Sequence, residues 1–575
     1  MSARVSSPSL AALAALTLLA AAPTPALRRY DLVFSGGLVV DGTGAPAVKA
    51  DVAVRGAQIA LVGDLSDAKA DRVIDATGLV VAPGFIDMMG QSEYHVLVDG
   101  RAASKITQGI TTEVTGEGTS IAPLNARMIE DSREVYRRYG VRPRFTTLSG
   151  YFREFARRGS TINLATFVGA GGVRNLVIGR ENRAPTPAEL KAMEAAVEQA
   201  MKDGALGLSS ALIYVPDNFA TTEEIIALAK VAARYGGSYA THQRDEGDDI
   251  DKSLDEVFRI AREAKIPAEI HHLKVAGKPN WGRMPAVLKR IEAERAKGLE
   301  ISANQYPWTA SSNALDASLP VWAREDSATK LVERLKDPET RARVRKDFLL
   351  DYPDWPDGAS RILITSVGNS ELAKHEGRTI AEIAQEQGKE PLDALMDLVI
   401  ADHANTVRVS FSMSEDDVRA ALKHPLVAFC TDSPAVAEDG ILSRHRSHPR
   451  AWGSATRILG HYVREQKLLA LEEAVRKMTS LPASRMKLAD RGVLRRGMAA
   501  DVVAFDPATV RERSTYADPT HYSEGIRYVA VNGRLVVDGG KITKARPGRI
   551  LRGPGYGRDV KVPLPPPGKK RSRRR

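Results

Sequence analysis

Apolar and polar residues alternate with a period of two near both ends of the chain and follow a mixed rhythm between them. From Tyr30 to about Ala82 the alternation is broken by Gly36-Gly37, Gly42-Thr-Gly44 and Gly56, which predicts short strands joined by tight turns. The same pattern returns after about Asp490. Asp31-Leu-Val-Phe-Ser-Gly-Gly-Leu-Val-Val-Asp41 resembles Tyr528-Val-Ala-Val-Asn-Gly-Arg-Leu-Val-Val-Asp538. The two ends, 27–82 and 490–552, are therefore expected to form one small β-sandwich domain, with 83–489 inserted between its halves.

The middle alternates strand-like and helix-like segments. Expected strands are Val81–Asp87, Thr111–Thr115, Asn163–Gly169, Leu206–Ala211, Ser238–His242, Ala268–Lys274, Leu299–Gln305 and Val427–Asp432. Thr186-Pro-Ala-Glu189 and Thr221-Thr-Glu-Glu224 have the spacing of capping boxes and open apolar-periodic helices, the second ended by Gly236-Gly237. Eight strands separated by helices predict an α/β fold, a TIM-like (β/α)8 barrel. A patterned stretch at about 314–423 interrupts it before the last strand, with helical 329–348, 379–401 and 414–423 and strand-like 361–367 and 407–411. It is too long for a plain loop and is expected to cover the barrel mouth.

At 575 residues the chain is long enough for a large core and more than one domain. Its 43% hydrophobic and 27% charged content is that of a globular protein, which excludes a wholly disordered chain. The net charge of +11 is partly local, because six positive charges fall within Lys569–Arg575, after a Pro-Leu-Pro-Pro-Pro run. That tail (553–575) is expected to be disordered and solvated, and no nucleic-acid motif accompanies it. At the other end Arg4, an apolar run from Leu10 to Ala22 and small residues up to Ala26 form a secretory signal pattern, too short for a usual membrane span. The expectation is an exported protein, periplasmic or secreted, cut near Ala26, with no membrane span in the mature chain. Cys430 is the single cysteine, so no internal disulfide can form, and it reads as a core residue.

Three strand ends carry candidate chemistry: His242, His272 and Asp432. Groups at strand ends converge on one rim of a barrel. Two imidazoles and a carboxylate suit zinc or a similar cation and point to metal-assisted hydrolysis. By alternation His272 and Lys274 share a face while His271 points away, and Asp87, Met89 and Gln91 share a side if the strand runs that far.

With these residues the chain resembles the N-acyl-D-amino-acid deacylases (D-aminoacylases) of the amidohydrolase superfamily, over nearly its whole length after the N-terminal segment. The resemblance is carried by Pro83-Gly-Phe-Ile-Asp87, Gly109-Ile-Thr-Thr112, Thr241-His-Gln-Arg-Asp-Glu246, His272-Leu-Lys274, Tyr306-Pro-Trp-Thr-Ala310, Asp432-Ser-Pro434 and His448-Pro-Arg450. It implies a metal-dependent barrel enzyme that removes the acyl group from an acylated D-amino acid. His242 and His272 would be metal ligands and Asp432 the general base. Lys274, Tyr306, Ser312 and Arg450 would hold the substrate carboxylate.

The chain departs from the family in two places. The His-x-His that normally ends the first strand is replaced by Met89 and Gln91, poor partners for zinc. The cysteine normally supplied after the second strand aligns with Gly118, beside Glu117. Glu117 is the expected substitute ligand, giving one divalent metal, zinc, held by Glu117, His242, His272 and Asp432. The partner is a small molecule with a free carboxylate, with no nucleic acid expected. Three alternatives are a peptidase for peptides containing D-residues, an inactive binding protein on the same fold, and an anion- or nucleic-acid-binding protein acting through its basic tail.

Overall fold

The computed structural model describes residues 29–558 except 68 and 445. The signal-like segment 1–26 and the tail from 559 lie outside the described residues. Residues 553–558 belong to the folded body, so the tail starts later than 553: Gly553 N donates to Gly204 O at 2.8 Å and Arg552 Nη1 to Asp203 O at 2.7 Å.

Eight parallel strand positions close a TIM-like barrel. They are Phe85–Asp87, Ile110–Thr115, Asn163–Gly169, Gly207–Ala211, Ser238–His242, Ala268–Ile270, Ile301–Gln305 and Val427–Phe429. Each pairs with the next in parallel register. Met88 N donates to Phe429 O at 3.3 Å and joins the last to the first. The third strand is broken at Phe167, so that 163–166 pairs with the second strand and 168–169 with the fourth.

The helices between the strands turn apolar faces inward. Thr222–Arg234 buries Ile225, Leu228, Ala229 and Ala232. Thr186 makes the full capping box with Glu189. Thr221 accepts from Glu224 N, but the Glu224 side chain is taken by the buried Arg174 instead of returning to the cap.

The stretch expected as one strand, Val81–Asp87, is two. Val80–Pro83 pairs antiparallel with Val502–Phe505 in a nine-stranded sheet that also holds Arg29–Val39 and Ile526–Val531. After Gly84 the chain enters the barrel. A side chain at 84 would meet Thr111 Oγ1 at 2.2 Å, so the crossing between the two sheets requires glycine.

The segment before the last barrel strand carries a three-stranded sheet (Ser311–Ala314, Ile362–Ser366 and Val407–Ser410) and its own apolar cluster around Leu331, Phe348, Ile364 and Leu395. Its long helices are each divided. Asp337 is extended before Pro338, which separates Ala328–Lys336 from Pro338–Asp351. Gly388, left-handed at φ +63°, ends Ile380–Gln387 before Pro391 opens the next helix.

Candidate active site

Glu117, His242 and His272 converge at the C-terminal rim of the barrel strands. His242 Nδ1 lies 2.9 Å from His272 Nε2, His272 Nε2 lies 2.9 Å from Glu117 Oε1, and His242 Nδ1 lies 3.7 Å from the same oxygen. The ligands of a tetrahedral zinc ion, each ~2.0–2.1 Å from the metal, stand roughly 3.3 Å apart. The three atoms therefore fit one ion with a fourth position open. Among the described residues this is the group able to hold a metal.

Local backbone explains how Glu117 arrives there. Gly118 is left-handed at φ +56°, and a Cβ on it would lie 2.4 Å from the Ala211 Cβ. Position 118 has no room for a ligating side chain, and the carboxylate that reaches the two imidazoles is that of the residue before it. Burial pushes the Glu117 carboxyl up, but His272 and hydrogen bonds to the histidines outweigh it and hold it well below the usual range. His272 is pushed down by burial and by Lys274, but Asp432 and Glu117 prevail and raise it to about 9.

His271 corrects the alternation argument. The strand ends at Ile270 and His272 adopts φ +34°, so facing can no longer be counted in twos. His271 is buried with Nδ1 3.5 Å from Glu117 Oε1, and burial pushes its pKa down. Glu246 was legible only as part of a motif and had no role attached. It stands 3.2 Å from His272 Nδ1 and 3.5 Å from His242 Nε2, on the side away from Glu117. Burial raises its carboxyl, but His242 and Lys274 outweigh that and keep it well below the carboxylate range.

Lys274, expected at the substrate carboxylate, is turned to the protein itself. It is 3% exposed, donates to Glu246 Oε1 at 2.6 Å and lies 2.7 Å from His272 Nδ1. Asp432, expected as both base and ligand, stands outside the converging trio. Its Oδ1 accepts from Gln91 Nε2 at 2.9 Å and its Oδ2 lies 2.6 Å from Arg450 Nη1. The carboxylate's two oxygens face an amide and a guanidinium, so Asp432 borders the three converging groups without being one of them.

Arg450 opens the helix Arg450–Arg457 and is buried. Its Nη2 donates to Ser312 O at 3.3 Å, so Ser312 meets it through the main chain. Nη1 is paired with Asp432 off the axis of a hydrogen bond, and Nε has no acceptor. The guanidinium lies 4.9 Å from the Tyr306 ring centroid. Burial raises the Tyr306 phenol well above its usual value, and its hydroxyl has no partner. Buried donors without acceptors are costly, and here several of them border the metal-fitting trio.

The strand stops at Asp87, so the alternation that would put Asp87, Met89 and Gln91 on one side does not extend to the last two. Asp87 bonds the buried Lys105. Met89 packs with Tyr306, Trp308 and Cys430. Gln91 reaches Asp432. Cys430 is buried in that apolar cluster, as a core residue.

Comparison with known proteins gives a consistent result. A model described as the amidohydrolase family matches residues 158–537. A D-aminoacylase of Alcaligenes xylosoxydans xylosoxydans is 38% identical over 523 residues, 91% of this chain and 97% of that protein. A D-aminoacylase structure, studied for a binuclear centre with one-metal activation and second-metal attenuation, superposes with a TM-score of 0.75 at 36% identity, covering 91% of this chain and 100% of that one. The N-acyl-D-glutamate deacylase of Bordetella bronchiseptica was solved with zinc and a phosphonate mimic of the tetrahedral intermediate. It superposes with a TM-score of 0.76 at 33% identity, covering 92% of this chain and 100% of that one.

Proposed function

The chain belongs to the N-acyl-D-amino-acid deacylase family of amidohydrolases, and we propose that it hydrolyses the amide bond of N-acyl-D-amino acids to a carboxylate and a free D-amino acid. The observation that carries this reading is the adjacency of two groups. One is a metal-fitting trio, Glu117, His242 and His272. The other is a buried set of donors lacking acceptors, Arg450 Nε and the Tyr306 hydroxyl, suited to a carboxylate.

The ion would be zinc, held by Glu117 Oε1, His242 Nδ1 and His272 Nε2. When bound it supplies Lewis acidity, lowering the pKa of a water toward ~7 and polarising the scissile carbonyl. Asp432 takes the proton of the attacking water and passes it to the leaving nitrogen as the amide C–N bond breaks. Arg450 and Tyr306 grip the free carboxylate and fix the acyl group relative to Asp432. Lys274 adds positive potential from beside His272, and Ser312 anchors Arg450 through its carbonyl. One ion per chain follows from Met89, packed among aromatics, and Gln91, bonded to Asp432. A thioether and an amide do not replace two imidazoles. The D-configuration is supported by the relatives' named activities.

The nine-stranded sheet from both chain ends is read as the β-sandwich domain. The 314–423 insertion is read as a cover at the mouth, supported by the strand Ser311–Ala314 that leads into it, where Asn313 Nδ2 reaches Tyr214 Oη at 3.3 Å beside His242. The N-terminal segment's composition supports export to the periplasm or beyond.

The deciding experiment pairs elemental analysis of the purified protein with hydrolysis of N-acetyl-D- and N-acetyl-L-amino acids and of dipeptides containing a D-residue. One zinc per chain and faster turnover of the D-series are expected. Bound zinc without turnover of either series would make it a binding protein, and turnover confined to dipeptides would make it a peptidase.

A further inference from the structure

Asp432 sits in a backbone conformation uncommon for a residue with a side chain. Its φ is +49°, in the left-handed region, which costs most residues with a Cβ roughly 1–2 kcal/mol and aspartate less. Such a conformation persists only when the surroundings impose it.

The surroundings are one buried ion pair. Lys105, on the helical turn Ala103–Ile106, is fully buried. Its Nζ donates to Asp87 Oδ2 at 2.8 Å, Thr431 Oγ1 at 2.7 Å and Ser433 O at 2.8 Å, so all three ammonium hydrogens are used. Asp87 in turn accepts from Thr431 N at 2.8 Å and from Thr431 Oγ1 at 2.5 Å. The pair thus holds the residue on each side of Asp432. Asp432 N itself donates to Met89 O at 2.8 Å. Glu113 Oε1 approaches the same ammonium at 3.6 Å, through space left by Gly90, where a Cβ would meet that oxygen at 1.9 Å.

We propose that Lys105 and Asp87 are positioning residues that clamp Thr431 and Ser433 and so hold the strained Asp432 with its carboxylate between Gln91 and Arg450. A buried ion pair is weak evidence for stability, since well-packed apolar residues often serve as well or better. The three directed bonds of this ammonium give it a geometric task instead. The inference rests on Asp432 being the proton acceptor.

The test uses the zinc-loaded enzyme and three variants. Thr431→Val is isosteric and removes the hydroxyl that both charges share, without uncovering a charge. Lys105→Met removes the hub, and Asp432→Asn is the control. If Asp432 is the base, Asp432→Asn loses most of its turnover; full activity there sinks the reading of Asp432 and not the clamp geometry. With that control inactive, kcat is expected to fall about 10-fold in Thr431→Val and about 100-fold in Lys105→Met. KM and zinc affinity should stay at the wild-type values. Wild-type kcat in Thr431→Val overturns the proposal. So does a parallel loss of kcat, substrate binding and zinc affinity in that variant, which would mark the pair as a stabiliser of barrel closure. Should Lys105→Met fail to fold, Thr431→Val decides alone.

Discussion

Glu117 becomes a candidate ligand because the residue after it has no side chain, and the consequence is measurable. Glu117→Gln keeps the shape and removes the charge that two imidazoles face. Zinc affinity is expected to fall by more than the roughly 10–100-fold typical of losing an outer-shell partner, which competition with a chromogenic chelator would measure. Retained affinity would remove Glu117 from the site. Arg450 gives a second residue-scale prediction. A guanidinium grips a carboxylate with two parallel bonds, and lysine cannot reproduce that fork. Arg450→Lys should lower kcat/KM for N-acyl amino acids by about 10 to 150-fold, the worth of a charge-assisted hydrogen bond. The matching amides and esters should change far less. Equal losses for acid and amide would reduce Arg450 to a structural partner of Asp432. The residues themselves were legible in different degrees. His242 and His272 stand out because strands end on them. Glu246 does not, because it lies in a loop where no periodicity assigns a facing, although it stands within 3.5 Å of both rings.

At the scale of elements, strand Ser238–His242 matches its sequence pattern residue for residue, whereas Ala268–Lys274 stops at Ile270. The cause is a side chain. Asn304 Oδ1 accepts from His272 N at 2.7 Å, so the chain leaves the strand where main-chain pairing would continue. Alternation arithmetic fails at that point, which is why counting in twos turns His271 away from Glu117 although its Nδ1 lies 3.5 Å from that carboxylate. Helices were divided for a similar reason: apolar periodicity runs on through Asp337-Pro338, but a proline cannot. Another element carries a pH dependence. Lys477, buried on the helix Leu471–Met478, donates to His424 O, and burial pushes it from 10.5 down to about 7. Between those values the folded state binds fewer protons than the unfolded chain, so stability is full above 10.5 and is lost as pH falls through 7, by up to ~5 kcal/mol. Lys477→Met should flatten this slope in urea titrations from pH 7 to 10. An unchanged slope would show that another group titrates there.

At the scale of the whole molecule, the segments near the two ends pair in one sheet that abuts the barrel. Val502–Phe505 pairs with Val80–Pro83, one residue before the chain enters the first barrel strand. The buried Asp501, on the return side, bonds Asn163 of the third barrel strand at 3.0 Å. Errors at either end would therefore be felt in the barrel. This bears on the expected export cut. The first sheet strand begins at Arg29, whose carbonyl accepts from Arg55 Nη2 at 3.0 Å. Cleavage after Ala26 would leave that strand whole. Protein isolated from the native host should therefore begin within a few residues of Leu27. A chain starting at Leu27, made without the preceding segment, should show undiminished kcat/KM and melting temperature. N-terminal sequencing that finds Met1 or Ser2 on protein from the native host would contradict cleavage and favour an anchor or a cytoplasmic protein. A loss of stability in the shortened chain would mean that residues before 27 belong to the sheet.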